Sequence, residues 1–219
     1  GEGYYAYLPA YLIDGDPTLE TLALRRYDGT MPAHTFWKRY EPTGRYVCVY
    51  AAGVALMMSP FFTAAHVFAT VTVGQTTWQK FVHPADGYSF FYQRAAALAG
   101  WLYFLCGLAV LKRELDRVFP PGVVVATLLA LTCGTNLLHY ASSETVLAHP
   151  YSFFLIALLF PLARRWHAQP ASRGWSLAVG AWLGLAVMVR ETNVLAFVML
   201  PLLGVDSWAA ARARLRLYL

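Results

Sequence analysis

The chain has 219 residues, of which 58% are hydrophobic and only 13% charged, and its formal net charge is +5. A soluble domain carries about 25% charged residues, so this composition excludes an ordinary soluble globule and points to an integral membrane protein. Lysine and arginine number 17 against 12 acidic residues. With no nucleic-acid-binding motif beside it, that excess reads as membrane topology and not as affinity for nucleic acid.

The chain opens on GEGYYAYLPAYLIDGD, a lone carboxylate between glycines followed by clustered tyrosines. It starts without methionine and without a signal peptide, and we read it as a fragment whose upstream segment is missing. Residues 1–45 are mixed and polar, and Pro9, Pro17, Pro32 and Pro42 break any long helix there. Residues 46–70 are apolar but interrupted by Ser59-Pro60. They read either as a span or as a bent helix pair lying in the membrane interface. A polar loop over 71–87 follows, ending in HPADG.

Five further apolar stretches cover 93–111, 122–138, 149–163, 175–189 and 192–205. Spanning takes about 20 apolar residues, so the last three need help from neighbouring helices or a thinned bilayer. Between the stretches lie three basic blocks: KRELDR at 112–117, RRWHAQPASR at 164–173 and ARARLR at 211–216. Cytoplasmic loops carry the Lys/Arg excess. The loops 112–121, 164–174 and 206–219 are therefore expected on the cytoplasmic side, and the turns at 139–149 and 190–191 on the opposite side. The side that residues 1–45 occupy depends on whether 46–70 spans. The expected architecture is an all-α polytopic bundle over 93–219, preceded by a loop region over 1–92.

Ionisable residues at membrane depth are functional-site candidates by default. Arg190 and Glu191 interrupt GLAVMVRETNVLAFVML, and Glu144 and His149 lie in HYASSETVLAHPYSFF. Each set has a plainer reading. Arg190 and Glu191 would cap a helical hairpin and pair with each other or with backbone, Glu144 would be a solvated loop acid, and His149 would bond near a helix start ahead of Pro150. Arg94 reads as a snorkelling interfacial arginine or a site residue, and Tyr88, Phe90, Phe91 and Tyr92 as an aromatic belt. Cys48, Cys106 and Cys133 show no metal spacing and read as small core residues. His34, His66 and His83 are too dispersed for a zinc site. No phosphate-binding loop, HExxH, CxxC pair or internal repeat occurs.

The opening stretch resembles the first external loop of bacterial GT-C glycosyltransferases related to protein O-mannosyltransferases and the aminoarabinose-lipid transferase. SPFFTAAHVFA, DGYSFFYQ, GTNLLHYASSETVLAHPYSFFLIAL and RETNVLAFVMLPLL resemble the same family in the same order. The resemblance covers most of the chain. It implies a GT-C membrane bundle truncated at both ends, with 1–92 as an external loop of interfacial helices. Glu2, Glu144, His149 and Arg190 then face one non-cytosolic surface.

The resemblance also implies transfer of a sugar from a polyprenyl-phosphate donor to a lipid, glycan or protein acceptor outside the bacterial inner membrane. Glu2, standing where the family has aspartate, would be the base or orienting carboxylate, and Glu144 the second acid. His149, Arg190 and Arg94 would serve the lipid phosphate, with Glu191 beside them, while Tyr4 and Tyr5 would stack on the sugar. By the resemblance a divalent cation is possible but not required, and two carboxylates are a thin basis for a hard-cation site. A transporter or flippase of a lipid-linked substrate, or a non-catalytic subunit of a membrane complex, are the competing readings.

Overall fold

A computed structural model describes residues 1–16, 18–22, 37–72, 84–205 and 207–216. The expectations for Pro17, Pro32, His34 and His83 lie outside these residues. The described chain is mostly helical. It divides into two compact units, one of residues Gly1–Leu102 with His139–Leu147, the other of Tyr103–Leu138 with Ala148–Leu219.

The first unit opens with two short helices, α1 (Glu2–Tyr5) and α2 (Tyr7–Leu12). A two-stranded antiparallel hairpin follows, β1 (Trp37–Tyr40) and β2 (Arg45–Cys48), pairing Lys38 with Val47 and Arg39 with Tyr46. The all-α expectation missed it. The turn is made by Gly44 at φ +67°, a backbone region where glycine carries no Cβ penalty. Four-residue strands this short, rich in Lys and Arg, show little of the apolar alternation that marks a strand in sequence.

Helix α3 (Gly53–Thr72) runs continuously through Pro60, so of the two readings of 46–70 the bent helix pair gives way to a single element. Proline removes the N–H that would bond the carbonyl four residues back, that of Leu56. The Ser59 hydroxyl donates to the Leu56 carbonyl at 2.7 Å instead. Val54, Met58, Phe62, Ala65 and Ala69 form the buried stripe of α3, at helical spacing. Its other face exposes Leu56, Val67, Phe68 and Val71.

Helix α4 (Phe90–Leu115) contributes its first half to this unit, where Tyr92, Ala96 and Ala99 are buried. The Tyr92 hydroxyl meets His66 Nδ1 at 2.5 Å, and Phe62 lies 5.0 Å from the Tyr92 ring. Both α3 and α4 are long and apolar enough to cross a membrane. Only 39% and 28% of their apolar windows are buried within the chain, unlike the core helix of a soluble protein.

The second unit holds the rest of α4, α5 (Pro121–Cys133), α7 (Ala148–Ala168), α8 (Arg173–Val189), a 3-10 turn at Glu191–Val194, α9 (Leu195–Met199) and α10 (Trp208–Leu215). Helix α6 (Leu137–Ser142) leads from this unit into the first. The stretch expected over 122–138 yields only the 13 residues of α5. At 1.5 Å per residue that is about 20 Å, against a hydrocarbon core of about 30 Å. Gly134 closes α5, its N–H bonding the Ala130 carbonyl.

Helices α7 and α8 form an antiparallel hairpin. Trp182 Nε1 donates to the Leu155 carbonyl at 2.9 Å, and Trp166 Nε1 to Ser176 Oγ at 3.0 Å. Their core is Leu159, Ala163, Val179 and Leu183, joined by Ala196 and Leu200. Gly107 of α4 packs flat on α7, because a Cβ there would stand 2.7 Å from the Phe153 ring. Small residues allow such close approach where lipid offers no hydrophobic drive for helix association. The cysteines depart from expectation: Cys106 and Cys133 are exposed and Cys48 half-buried, all three as free thiols.

Candidate functional site

In the first unit, Glu2 and Glu144 line one cleft of about 430 Å³, together with Tyr5, Tyr88, Gln93 and Thr145. Glu2 lies in the first turn of α1, where the Gly1 carbonyl accepts from the Tyr4 and Tyr5 N–H groups at 3.2 Å. Glu144 lies on the turn after α6 and is exposed, while its neighbour Thr145 is buried.

Two glycines hold that turn in place. A Cβ on Gly1 would stand 3.0 Å from the Val146 Cβ, and one on Gly100 of α4 would stand 2.9 Å from the Thr145 Cβ. Interiors pack to near-crystalline density, so each contact requires the missing side chain. The Glu144 turn is thereby seated against the start of the chain on one side and α4 on the other.

The floor of the cleft is aromatic and polar. The Tyr5 hydroxyl donates to the Gly87 carbonyl at 2.5 Å, and its ring meets Tyr88 at 6.0 Å. Burial first, then the neighbouring Tyr88 and Tyr92, push the Tyr5 phenol well above its ordinary value, so it stays a proton donor to Gly87. Gly87 itself sits at φ +82°, with no room for a Cβ beside Pro9. The DGYS run is a turn that starts α4. Asp86 Oδ1 accepts from the N–H groups of Tyr88 and Ser89 at 2.8 and 2.9 Å, an Asx-type turn just ahead of the helix. Gln93 donates to the Tyr88 carbonyl at 2.9 Å.

The remaining predicted residues fall elsewhere. Tyr4 does not line the cleft; its ring lies 4.5 Å from Tyr50. Arg94 is exposed and places its guanidinium 4.9 Å over the Phe90 ring, which fits the interfacial reading. His149, Arg190 and Glu191 belong to the second unit. There Arg190 is the extended residue that ends α8, and its Nη1 stands 3.1 Å from His149 Nδ1. Guanidinium only donates, so Nδ1 is the acceptor and the imidazole carries its proton on Nε2. Glu191 is exposed at the head of the 3-10 turn, and the partner of Arg190 is His149 in its place.

Asn193 was not singled out from sequence, yet it ties this corner together. Its Nδ2 donates to Ser152 Oγ at 2.9 Å and to the Ala186 carbonyl at 2.8 Å. The signal was available, since Asn193 is a polar residue in the same apolar stretch that exposed Arg190. Gly100 carried no such signal, because its partner Thr145 is remote in sequence.

Among the described residues no group of three or more His, Cys, Asp or Glu side chains is placed to hold a metal. Glu2 and Glu144 would supply only part of a hard-cation shell of six or more oxygens. No family model, curated protein or solved structure matches this chain.

Proposed function

We propose that the chain belongs to a GT-C-type glycosyltransferase. It moves a sugar from a polyprenyl-phosphate donor to an acceptor at the external face of a bacterial cytoplasmic membrane. The observation that carries this reading is the meeting of Glu2 and Glu144, remote in sequence, on one tyrosine-bordered cleft. The ordered motif resemblance supplies the class of donor. Two helices long and apolar enough to cross a bilayer, and exposed apolar side chains along α3, α4 and α5, support the membrane setting.

The chemistry asks little of the protein beyond placement. The acceptor oxygen forms a bond to the anomeric carbon as the bond from that carbon to the phosphate oxygen breaks. Polyprenyl phosphate leaves with the electron pair, and the acceptor proton passes to a carboxylate and then to water. Glu2 takes the proton and Glu144 orients the acceptor. Negative charge growing on the phosphate calls for preorganised cationic donors, a role the resemblance assigns to Arg190. A guanidinium has five N–H donors, so the bond to His149 leaves its planar fork able to engage phosphate bidentately.

The test is transfer of labelled sugar from polyprenyl phosphate by the full-length protein and by Glu2→Gln. Covalent transfer that collapses in Glu2→Gln is expected. Undiminished transfer in the variant removes the base assignment, and movement of the lipid without covalent transfer makes the protein a transporter.

A further inference from the structure

The second unit carries a cleft that this reading does not use. It measures about 460 Å³ and is lined by Glu114, Arg164, His167 and Arg214, with Leu111 and Phe160 among its apolar walls. Each of the three basic blocks contributes: Glu114 from the first, Arg164 and His167 from the second, Arg214 from the third. A smaller cleft of about 160 Å³ shares Glu114 and Arg164 and adds Arg113, Arg117 and Arg165.

Five arginines therefore line the two clefts that share Glu114, and two of them reach its carboxylate. Glu114 takes both Nε and Nη2 of Arg164 at 3.3 Å and Arg117 Nε at 3.3 Å. Arg214 donates one N–H to the Leu203 carbonyl and keeps a planar fork of further donors. Arg113 and Arg165 line the smaller cleft as well, where Glu114 is the one acid among the lining residues, so positive charge is in excess.

We propose that this cleft binds the phosphodiester headgroup of an anionic membrane lipid, with an acyl chain along its apolar wall. Arginine pairs with phosphate oxygens in a bidentate geometry, and basic pockets between helices recognise anionic headgroups. The apolar surroundings distinguish a lipid from free phosphate. Val118 in the cleft is 74% exposed, and Trp208 at the start of α10 is 84% exposed. Tryptophan this exposed beside arginines suits the headgroup level of a bilayer. The inference rests on the membrane setting and not on sugar transfer. A protein that binds the lipid but transfers no sugar loses the proposed activity and keeps this site.

The experiment titrates the full-length protein in detergent with short-chain phosphatidylglycerol, with phosphatidylcholine of the same chains, and with inorganic phosphate as competitor, read by native mass spectrometry. Phosphatidylglycerol is expected to be retained selectively and to resist equimolar inorganic phosphate. Arg214→Gln should weaken it about fivefold, the value of one basic residue near an anionic surface. Glu114→Gln, which releases Arg164 from its carboxylate, should strengthen it by a similar factor. Should Arg214→Gln misfold through loss of the Leu203 bond, Glu114→Gln decides alone, since it leaves that bond intact. Equal retention of the two lipids, displacement by inorganic phosphate, or unchanged affinity in Glu114→Gln overturns the proposal.

Discussion

Gly100 of α4 lies flat against Thr145, so close that a Cβ on the glycine would stand 2.9 Å from the threonine Cβ. This contact seats the turn that carries Glu144. Gly100→Ala should lower the apparent melting temperature in detergent by the equivalent of about 1–3 kcal/mol, the usual cost of overpacking. Gly180→Ala is the control, because nothing lies within 4 Å of a Cβ there. On an open helix face it should raise stability by about 0.5–1 kcal/mol. Equal effects of both variants would show that the Thr145 contact is dispensable.

Glu144→Gln should reduce sugar transfer by about 10²-fold, the cost of misplacing the acceptor that it orients. The double variant with Glu2→Gln should lose far less than the product of the single effects, because groups acting as a unit are not additive. Rates from initial-velocity assays at saturating donor check this. Multiplicative losses would separate the two acids into independent roles.

Arg190→Lys keeps the charge and removes the planar fork. Transfer should fall at least about tenfold if that fork engages phosphate, while stability changes little because Arg190 is exposed. Asn193→Ala should do the reverse in stability, costing about 1–3 kcal/mol through the two hydrogen bonds it ends. Thermal unfolding and kinetics on the same two variants tell a ligand-binding role from a structural one.

Asp16 makes a pH prediction away from the membrane. Burial raises its pKa, but hydrogen bonds from Thr18 and Thr21 outweigh that and hold the carboxyl below the usual range. A folded pKa below the unfolded value means the stabilisation is present above about pH 4 and is lost as pH falls through the folded value. Denaturation of the protein against Asp16→Asn should show a gap at pH 7 that narrows toward pH 3. A gap constant over that range would sink the assignment.

The charge pattern predicts sidedness. In a cysteine-free background, Ser143→Cys should react with a membrane-impermeant maleimide from outside intact cells, and Arg117→Cys only after permeabilisation. Labelling of both from one side would overturn the topology read from the basic blocks.

Much of this was legible in the residues. Apolar stretches announced helices because burial and lipid both reward continuous hydrophobicity. Ionisable residues at the turns between them singled out Arg190 and Glu144 as candidates, since charge at membrane depth is costly. The hairpin at Trp37–Cys48 was not legible, and the Ser59-Pro60 break left 46–70 open between one continuous helix and a bent pair. There a local rule about proline was overridden by one serine hydroxyl.

The sequence by itself determined the helical character of the chain, its apolar composition and the alternation of its basic blocks. These depend on composition and short-range order, which a single strand of residues displays. Only the tertiary structure decided that Glu2 shares a cleft with Glu144, that Arg190 pairs with His149 and not with Glu191, and that the basic blocks meet around Glu114. Those are contacts between residues remote along the chain. They hinge on side chains that are absent, such as those of Gly1 and Gly100, as much as on those present.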